Sequence, residues 1–247
     1  MAKALPNWLV EKYFTLFISF SLIPFAVKDA KAVLNSRKVS LFLYKMMNYG
    51  WVDKMDRGIY RIVHPFVALM EVSGFVWRNK IKQRDRLPVL ELTIARLFEV
   101  LGSKLESVVL FGSLSKGTAK PESDVDLLVV ARDLPNNYSD RVSVIREIVS
   151  FKLMDDIIIH LWKNNGIYAD LNILLIDERE ANITHPFYLD MAKDAIIIYD
   201  KNKIMSNKIV EVRRKLEKIG AKRFEEPDGS WYWVLSPHAK NIREVEL

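Results

Sequence analysis

Residues 110–130 read LFGSLSKGTAKPESDVDLLVV. The apolar run Val108–Phe111 predicts a buried strand, Gly112–Gly117 a turn into a short helix, and Asp124–Ala131 a second strand. Gly112 lets the backbone turn sharply after a strand and approach a ligand closely. Ser113 adds a hydroxyl, and the amides of the turn and helix start can hold phosphate oxygens. In Ser123-Asp124-Val125-Asp126, residues two apart on a strand face the same way. The carboxylates of Asp124 and Asp126 then project together while Val125 turns into the core. Two like charges so close repel, and a cation between them relieves the repulsion. Carboxylates combined with phosphate oxygens suit Mg2+. The LLVV that follows marks an interior strand, which argues against two acids on a solvated edge.

Outward from this stretch, Pro88 suits the first turn of a helix over Val89–Leu101, closed by Gly102. A long helix is expected over Asp140–Lys163, with Val142, Ile145, Ile148, Val149, Leu153 and Ile157 on one face and Gly166 at its end. A third strand over Ala169–Ile176 opens on Asp170, with Asn172 on its face. Asp170 could complete a metal cluster or act as general base, and Asp177, at the other end of the strand, is the alternative. Thr184–Ala192 reads as helical and Ala195–Tyr199 as a final short strand. Lys203–Ile219 is a charged helix stopped by Gly220. Lys222–Leu235 reads as a hairpin around Pro227-Asp228-Gly229, whose Trp231, Tyr232 and Trp233 either pack on the preceding domain or stack on bases.

Toward the N-terminus, Phe25–Leu34 reads as a short helix. A second helix over Arg37–Tyr49 is led by Ser36 as a cap and stopped by Gly50. The stretch from Trp51 to Pro65 reads as a basic hairpin around Asp56-Arg57-Gly58, so two helices followed by a wing are expected. The expected organisation is therefore residues 1–72, a basic linker at 73–87, a domain at 88–200 and a helix with an aromatic hairpin at 201–247. Charge follows these divisions. Residues 1–87 hold 15 Lys and Arg against 6 Asp and Glu, whereas residues 88–200 hold 11 against 18. A basic block beside an acidic one implies two jobs in one chain.

Half of the 247 residues are apolar and none is Cys. That supports a packed core, excludes disulfides and thiolate zinc sites, and suits the cytoplasm. His64, His160, His185 and His238 are dispersed and suggest no zinc site. The apolar run Tyr13–Val27 is shorter than the roughly 20 residues of a spanning helix, so a buried helix is expected and no membrane partner.

Taken together, Gly112-Ser113, Gly117, Ser123-Asp124-Val125-Asp126-Leu127 and the later Asp170 resemble the polymerase-beta-like nucleotidyltransferases. The small prokaryotic MNT-type group, with its usual GSxARGxxxxxSDIDL, is the most similar in appearance. Ser115 stands for the common Ala and Lys116 for the common Arg, which keeps the charge and loses bidentate geometry. The resemblance covers about residues 88–200. It implies an α+β fold with a mixed sheet, and transfer of a nucleoside monophosphate from a nucleoside triphosphate to a hydroxyl of a protein, a tRNA or a small molecule. It also implies Mg2+ ions on Asp124, Asp126 and Asp170, with Asp170 helping to remove the acceptor proton, and phosphate contacts from Gly112, Ser113 and Lys116. An MNT-type antitoxin with a helical toxin-type partner fits the same resemblance. The N-terminal block resembles winged helix-turn-helix domains of antitoxin-type transcriptional regulators. That implies DNA phosphate contacts by Arg37, Lys38 and Lys45 on the recognition helix and by Arg57 and Arg61 on the wing. A DNA-binding regulator whose nucleotidyltransferase domain serves as sensor or partner-binding module is the alternative function.

Overall fold

Two apolar strands with both faces covered organise the chain. The computed structural model describes residues 2–226 and 231–235, so the expected turn at Pro227-Asp228-Gly229, and His238, lie outside the described residues. The elements run α1 (Asn7–Phe20), β1 (Phe25–Ala26), α2 (Val27–Leu34), α3 (Val39–Asn48), β2 (Val52–Asp56), β3 (Ile59–Ile62) and α4 (Pro65–Val72). They continue with α5 (Leu87–Leu101), β4 (Leu105–Phe111), α6 (Gly112–Lys116), β5 (Val125–Ala131), α7 (Tyr138–Val149), α8 (Lys152–Asn165) and β6 (Leu171–Asp177). The last are α9 (Glu178–Asn182), α10 (Tyr188–Asp194), β7 (Ile196–Asp200), α11 (Ile204–Lys218), β8 (Lys222–Glu225) and β9 (Trp231–Val234).

The main sheet has the order β6-β5-β4-β7. β4 is antiparallel to β5 and to β7, while β5 and β6 are parallel, so the sheet is mixed. Strand alternation sends Val108, Leu110, Leu127 and Val129 into one apolar core and Val109, Leu128 and Val130 into another. The first core is shared with Leu90, Ile94 and Leu97 of α5 and runs on to Leu9, Tyr13 and Leu16 of α1. The second is closed by Tyr188 and Met191 of α10 and Ile209, Val212 and Leu216 of α11. The N-terminal block and the sheet thus share one continuous apolar cluster. The apolar N-terminal segment is buried on one face as expected, and no described helix is long and apolar enough to cross a membrane.

Three element boundaries differ from the sequence reading. Phe25 and Ala26 do not begin a helix; they pair with Tyr60 and Ile59 of β3. The expected helix over 140–163 breaks at Ser150 and Phe151, because α7 buries Ile148 in the first core and α8 buries Met154, Ile157 and Leu161 in a third. A straight helix cannot aim one stripe at both, and the extended Phe151 makes the corner with its ring beneath the Arg96 guanidinium. The helix expected from Thr184 starts only at Tyr188, since the residue before Pro186 is pushed out of the helical region. Ser36 is not the α3 cap residue, although its hydroxyl accepts the Lys38 amide at 3.2 Å.

A buried ionic network joins the N-terminal block to α5. Glu91, fully buried on α5, receives Arg61 in a bidentate pair at 2.8 and 2.9 Å and the His64 amide at 2.9 Å. Arg61 also binds Asp53, which receives Arg84 at 2.9 Å. Arg78 pairs with Glu71 through two bonds of 2.9 and 3.0 Å and donates to the Gly50 carbonyl at 2.9 Å. Burial alone would raise the Asp53 carboxyl, but the guanidiniums of Arg61, Arg78 and Arg84 outweigh it and hold the group below its usual range. This corrects two expectations. Arg61 is not a surface wing residue, for its guanidinium is fully enclosed and its two terminal nitrogens donate to the Glu91 and Asp53 carboxylates. The stretch 73–87, expected as a basic linker, packs against the core instead, for Trp77, Arg78, Ile81 and Arg86 are buried in it.

Candidate active site

β4 ends where the chemistry-bearing residues begin. Phe111, its last residue, pairs with Asp126 across the antiparallel register. Gly112 follows with φ +74°, and a Cβ there would lie 2.0 Å from Asp126 Oδ2. Only glycine lets the backbone pass this close to the carboxylate in that conformation. α6 then carries Ser113, Leu114, Ser115 and Lys116. Leu114 is buried and anchors the turn to the core, and Ser115 Oγ donates to the Gly112 carbonyl at 2.9 Å.

β5 presents the acids as its alternation requires. Val125 is buried, Asp126 is half-buried, and Asp124, directly before the strand, is exposed. β6 runs parallel to β5 with Val125 opposite Leu171 and Asp126 opposite Asn172. The Val125 amide donates to the Asp170 carbonyl at 2.8 Å, so Asp170 lies beside Asp124 at the same sheet end. Asn172 Nδ2 donates to Asp126 Oδ1 at 2.8 Å. Burial raises the Asp126 carboxyl above its ordinary range; the Asn172 bond opposes the rise, the Asp124 charge adds to it and the Lys116 charge opposes it. A half-buried carboxyl raised by its surroundings beside a second acid marks a candidate functional site.

The structure therefore brings Gly112, Ser113, Lys116, Asp124, Asp126 and Asp170 to one end of the sheet. It does not close the three acids into a ligand cage: among the described residues, no group of three His, Cys, Asp or Glu side chains is arranged to hold a metal ion. Asp177, the alternative third carboxylate, is ruled out by its place and its bonds. It lies at the far end of β6, roughly 20 Å along the strand from Asp170, where it caps α9 by accepting the Arg179 amide at 3.0 Å. Arg37, Lys38, Lys45 and Arg57 are exposed, as phosphate contacts would require; Arg61 is not. In the C-terminal hairpin Trp233 packs on the second core, while Tyr232 stays half exposed and stacks on Phe224.

The role of Asn172 escapes sequence reasoning: strand alternation places it on the face, but its bond to Asp126 follows only from the parallel register. Tyr168 escapes it too. The burial alternation of β6 continues backward, with Ala169 and Ile167 buried and Asp170 and Tyr168 exposed. Counting by twos from Asp170 would have found it.

The chain thus combines a mixed α+β sheet with an acid pair at the start of β5 and a glycine turn after β4. Residues 94–199 match the family model of the nucleotidyltransferase domain, which supports an NTP-dependent nucleotidyltransferase activity. A Methanocaldococcus jannaschii protein provisionally named a protein adenylyltransferase is 29% identical over 133 residues, covering 53% of this chain and 83% of that protein. A second protein of the same organism, with the same provisional name, is 35% identical over 60 residues, covering 24% of this chain and 60% of that one. Among solved structures, a toxin–antitoxin crystal structure with AMP-PNP is similar at a TM-score of 0.31 and 19% identity, covering 51% of this chain and 88% of that one.

One prediction follows from the turn. Gly112→Ala forces Asp126 aside or the backbone out of its left-handed conformation. Displacing a positioned group by about 1 Å costs on the order of 10²-fold in transfer. Steady-state kcat/KM for the nucleoside triphosphate, with circular dichroism to show the fold is kept, measures it.

Proposed function

We propose that the chain transfers AMP from ATP to a hydroxyl of a protein, with residues 88–200 as the catalytic domain. The observation that carries this reading is the sharing of one sheet end by the Asp124–Asp126 pair and the Gly112 turn. The adenylyl donor and the protein acceptor are suggested by the names of the two Methanocaldococcus jannaschii relatives.

Two same-facing carboxylates supplemented by substrate phosphate oxygens suit Mg2+, which is commonly held by one or two carboxylates and phosphates. Asp124 and Asp126 would hold it, and when bound it would polarise the α-phosphate and neutralise the charge gathering on the leaving pyrophosphate. The backbone of Gly112 and Ser113 binds the β- and γ-phosphates, with the Lys116 charge nearby. Asn172 holds Asp126 in its orientation through the 2.8 Å bond. Asp170 accepts the proton of the acceptor hydroxyl as its oxygen bonds to the α-phosphorus and the bond to pyrophosphate breaks. The reading is tested by incubating the protein and candidate acceptor proteins with ATP labelled in the α-phosphate. Label on a protein that disappears with Asp124→Ala supports it; no labelled protein across a broad screen contradicts it.

A second reading concerns residues 1–72, proposed as a winged helix-turn-helix. It is favoured by the order helix, strand, helix, helix and hairpin and by the exposure of Arg37, Lys38, Lys45 and Arg57. Duplex DNA binding is expected to weaken steeply as salt is raised, and reversing the charge of Arg37 and Lys38 to abolish it. Fluorescence anisotropy against salt concentration reads this; binding insensitive to salt contradicts it.

A further inference from the structure

The sheet end that carries Asp124 and Asp126 continues outward into two aromatic rings that the chemistry above does not use. Tyr168 is the next exposed residue beyond Asp170, and its amide donates to the Pro121 carbonyl at 2.9 Å, within the loop that leads to Asp124. Its ring lies 6.2 Å from that of Trp162, in the last turn of α8, with the planes inclined at 46°. Gly166, at φ +66°, reverses the chain after α8 and brings the two rings together. Trp162 is 49% exposed and Tyr168 51%. Neighbouring Ile159 on α8 is also exposed. Paired aromatics left open beside a reactive centre have the make-up of a contact surface.

In-line transfer decides what they contact. Displacement at phosphorus places the entering and leaving oxygens on opposite sides. Gly112 and Ser113 flank Asp126 on the β4 side, so pyrophosphate departs there. The acceptor hydroxyl then arrives from the β6 side, over Asp170, and the next side chains outward are Tyr168 and Trp162. Charge narrows the acceptor further. Residues 88–200 carry 18 acidic against 11 basic side chains, and of these acids, all among the described residues, only Glu91 and Glu106 are buried, so this domain repels a polyanionic nucleic acid and tolerates a neutral or basic polypeptide.

The geometry points to Trp162 and Tyr168 as the acceptor platform. A polypeptide segment lays an apolar or aromatic side chain on the two rings and so delivers a nearby hydroxyl to Asp170. This inference rests on the reading of a protein hydroxyl as acceptor.

The test uses the full chain, ATP, Mg2+ and a panel of peptides bearing one Tyr, Ser or Thr, flanked either by Phe and Leu or by Gly. Wild type is expected to show a KM about threefold to tenfold lower for the apolar-flanked peptides. The double variant Trp162→Ala with Tyr168→Ala loses that preference through KM for the apolar-flanked peptide, and KM for ATP stays as in wild type. Trp162→Phe and Tyr168→Phe keep the preference, which separates contact from structural damage. A preference that survives the double Ala variant overturns the inference. So does a raised KM for ATP with the peptide KM unchanged, which would seat the nucleoside on the rings. Wild type that modifies none of the peptides, or transfer that survives Asp126→Asn, overturns the underlying reading and the platform with it.

Discussion

Asp126→Asn is expected to lower NTP-dependent transfer by about 10³-fold while raising the melting temperature of the ligand-free protein. The first effect follows from the site. Asp126 faces the same way as Asp124, touches the Gly112 turn and is oriented by Asn172. On the proposed reading Asp126 holds Mg2+, and losing an ionised ligand removes several kcal/mol of stabilisation from the transition state, each 1.4 kcal/mol being tenfold in rate. The second effect follows from the direction of the Asp126 shift. Its carboxyl is raised in the folded protein, chiefly by burial. The folded state therefore holds the proton more tightly than the unfolded chain, and near neutral pH the ionised group opposes folding. An amide of the same shape removes that opposition and can still accept from Asn172. Rate and melting temperature moving in opposite directions separates a functional acid from a structural one. A variant that melts lower than wild type would show that the carboxylate holds the fold together.

Glu91→Ala should have the largest effect on stability of any single change considered. Glu91 is fully buried and receives three donors: two from Arg61 and the His64 amide. Its removal leaves the buried Arg61 cation with only Asp53 as a carboxylate partner, and stranding a buried charge in this way costs about 3–5 kcal/mol. For a chain of this size that is a fall of roughly 10 °C in melting temperature. Arg61→Ala should cost a similar amount from the other side. Removing an exposed partner, as in Arg84→Ala, should cost about 1 kcal/mol or less, since Arg84 reaches Asp53 from a position 43% exposed. Urea unfolding of the three variants measures the ranking. Equal effects would mean that the network is not a buried unit.

Much of the geometry of the candidate site could be read from residues 110–130 because its signals are local. A strand alternates with period two, so Asp124 and Asp126 had to share a face, and a left-handed turn squeezed against a carboxylate had to be glycine. The role of Asn172 depends on a parallel pairing across 46 residues of chain, which no local pattern encodes. Arg61 misled for a related reason. A basic residue in a hairpin reads as solvated, and only tertiary packing against α5 reveals that Glu91, 30 residues on, takes its charge. The single helix expected over 140–163 followed an unbroken apolar period with no Gly or Pro inside it. Its break at Phe151 answers to two separate cores, which a one-dimensional pattern cannot distinguish.

Nucleotidyl transfer at Asp124 and Asp126 is tested most directly by comparing ATP labelled in the α-phosphate with ATP labelled in the γ-phosphate, for wild type and Asp126→Asn. The expected result is α-label on a protein acceptor with wild type, none from γ-labelled ATP, and loss of the α-label in the variant. Label arriving from the γ-phosphate, or α-label undiminished in Asp126→Asn, would contradict it.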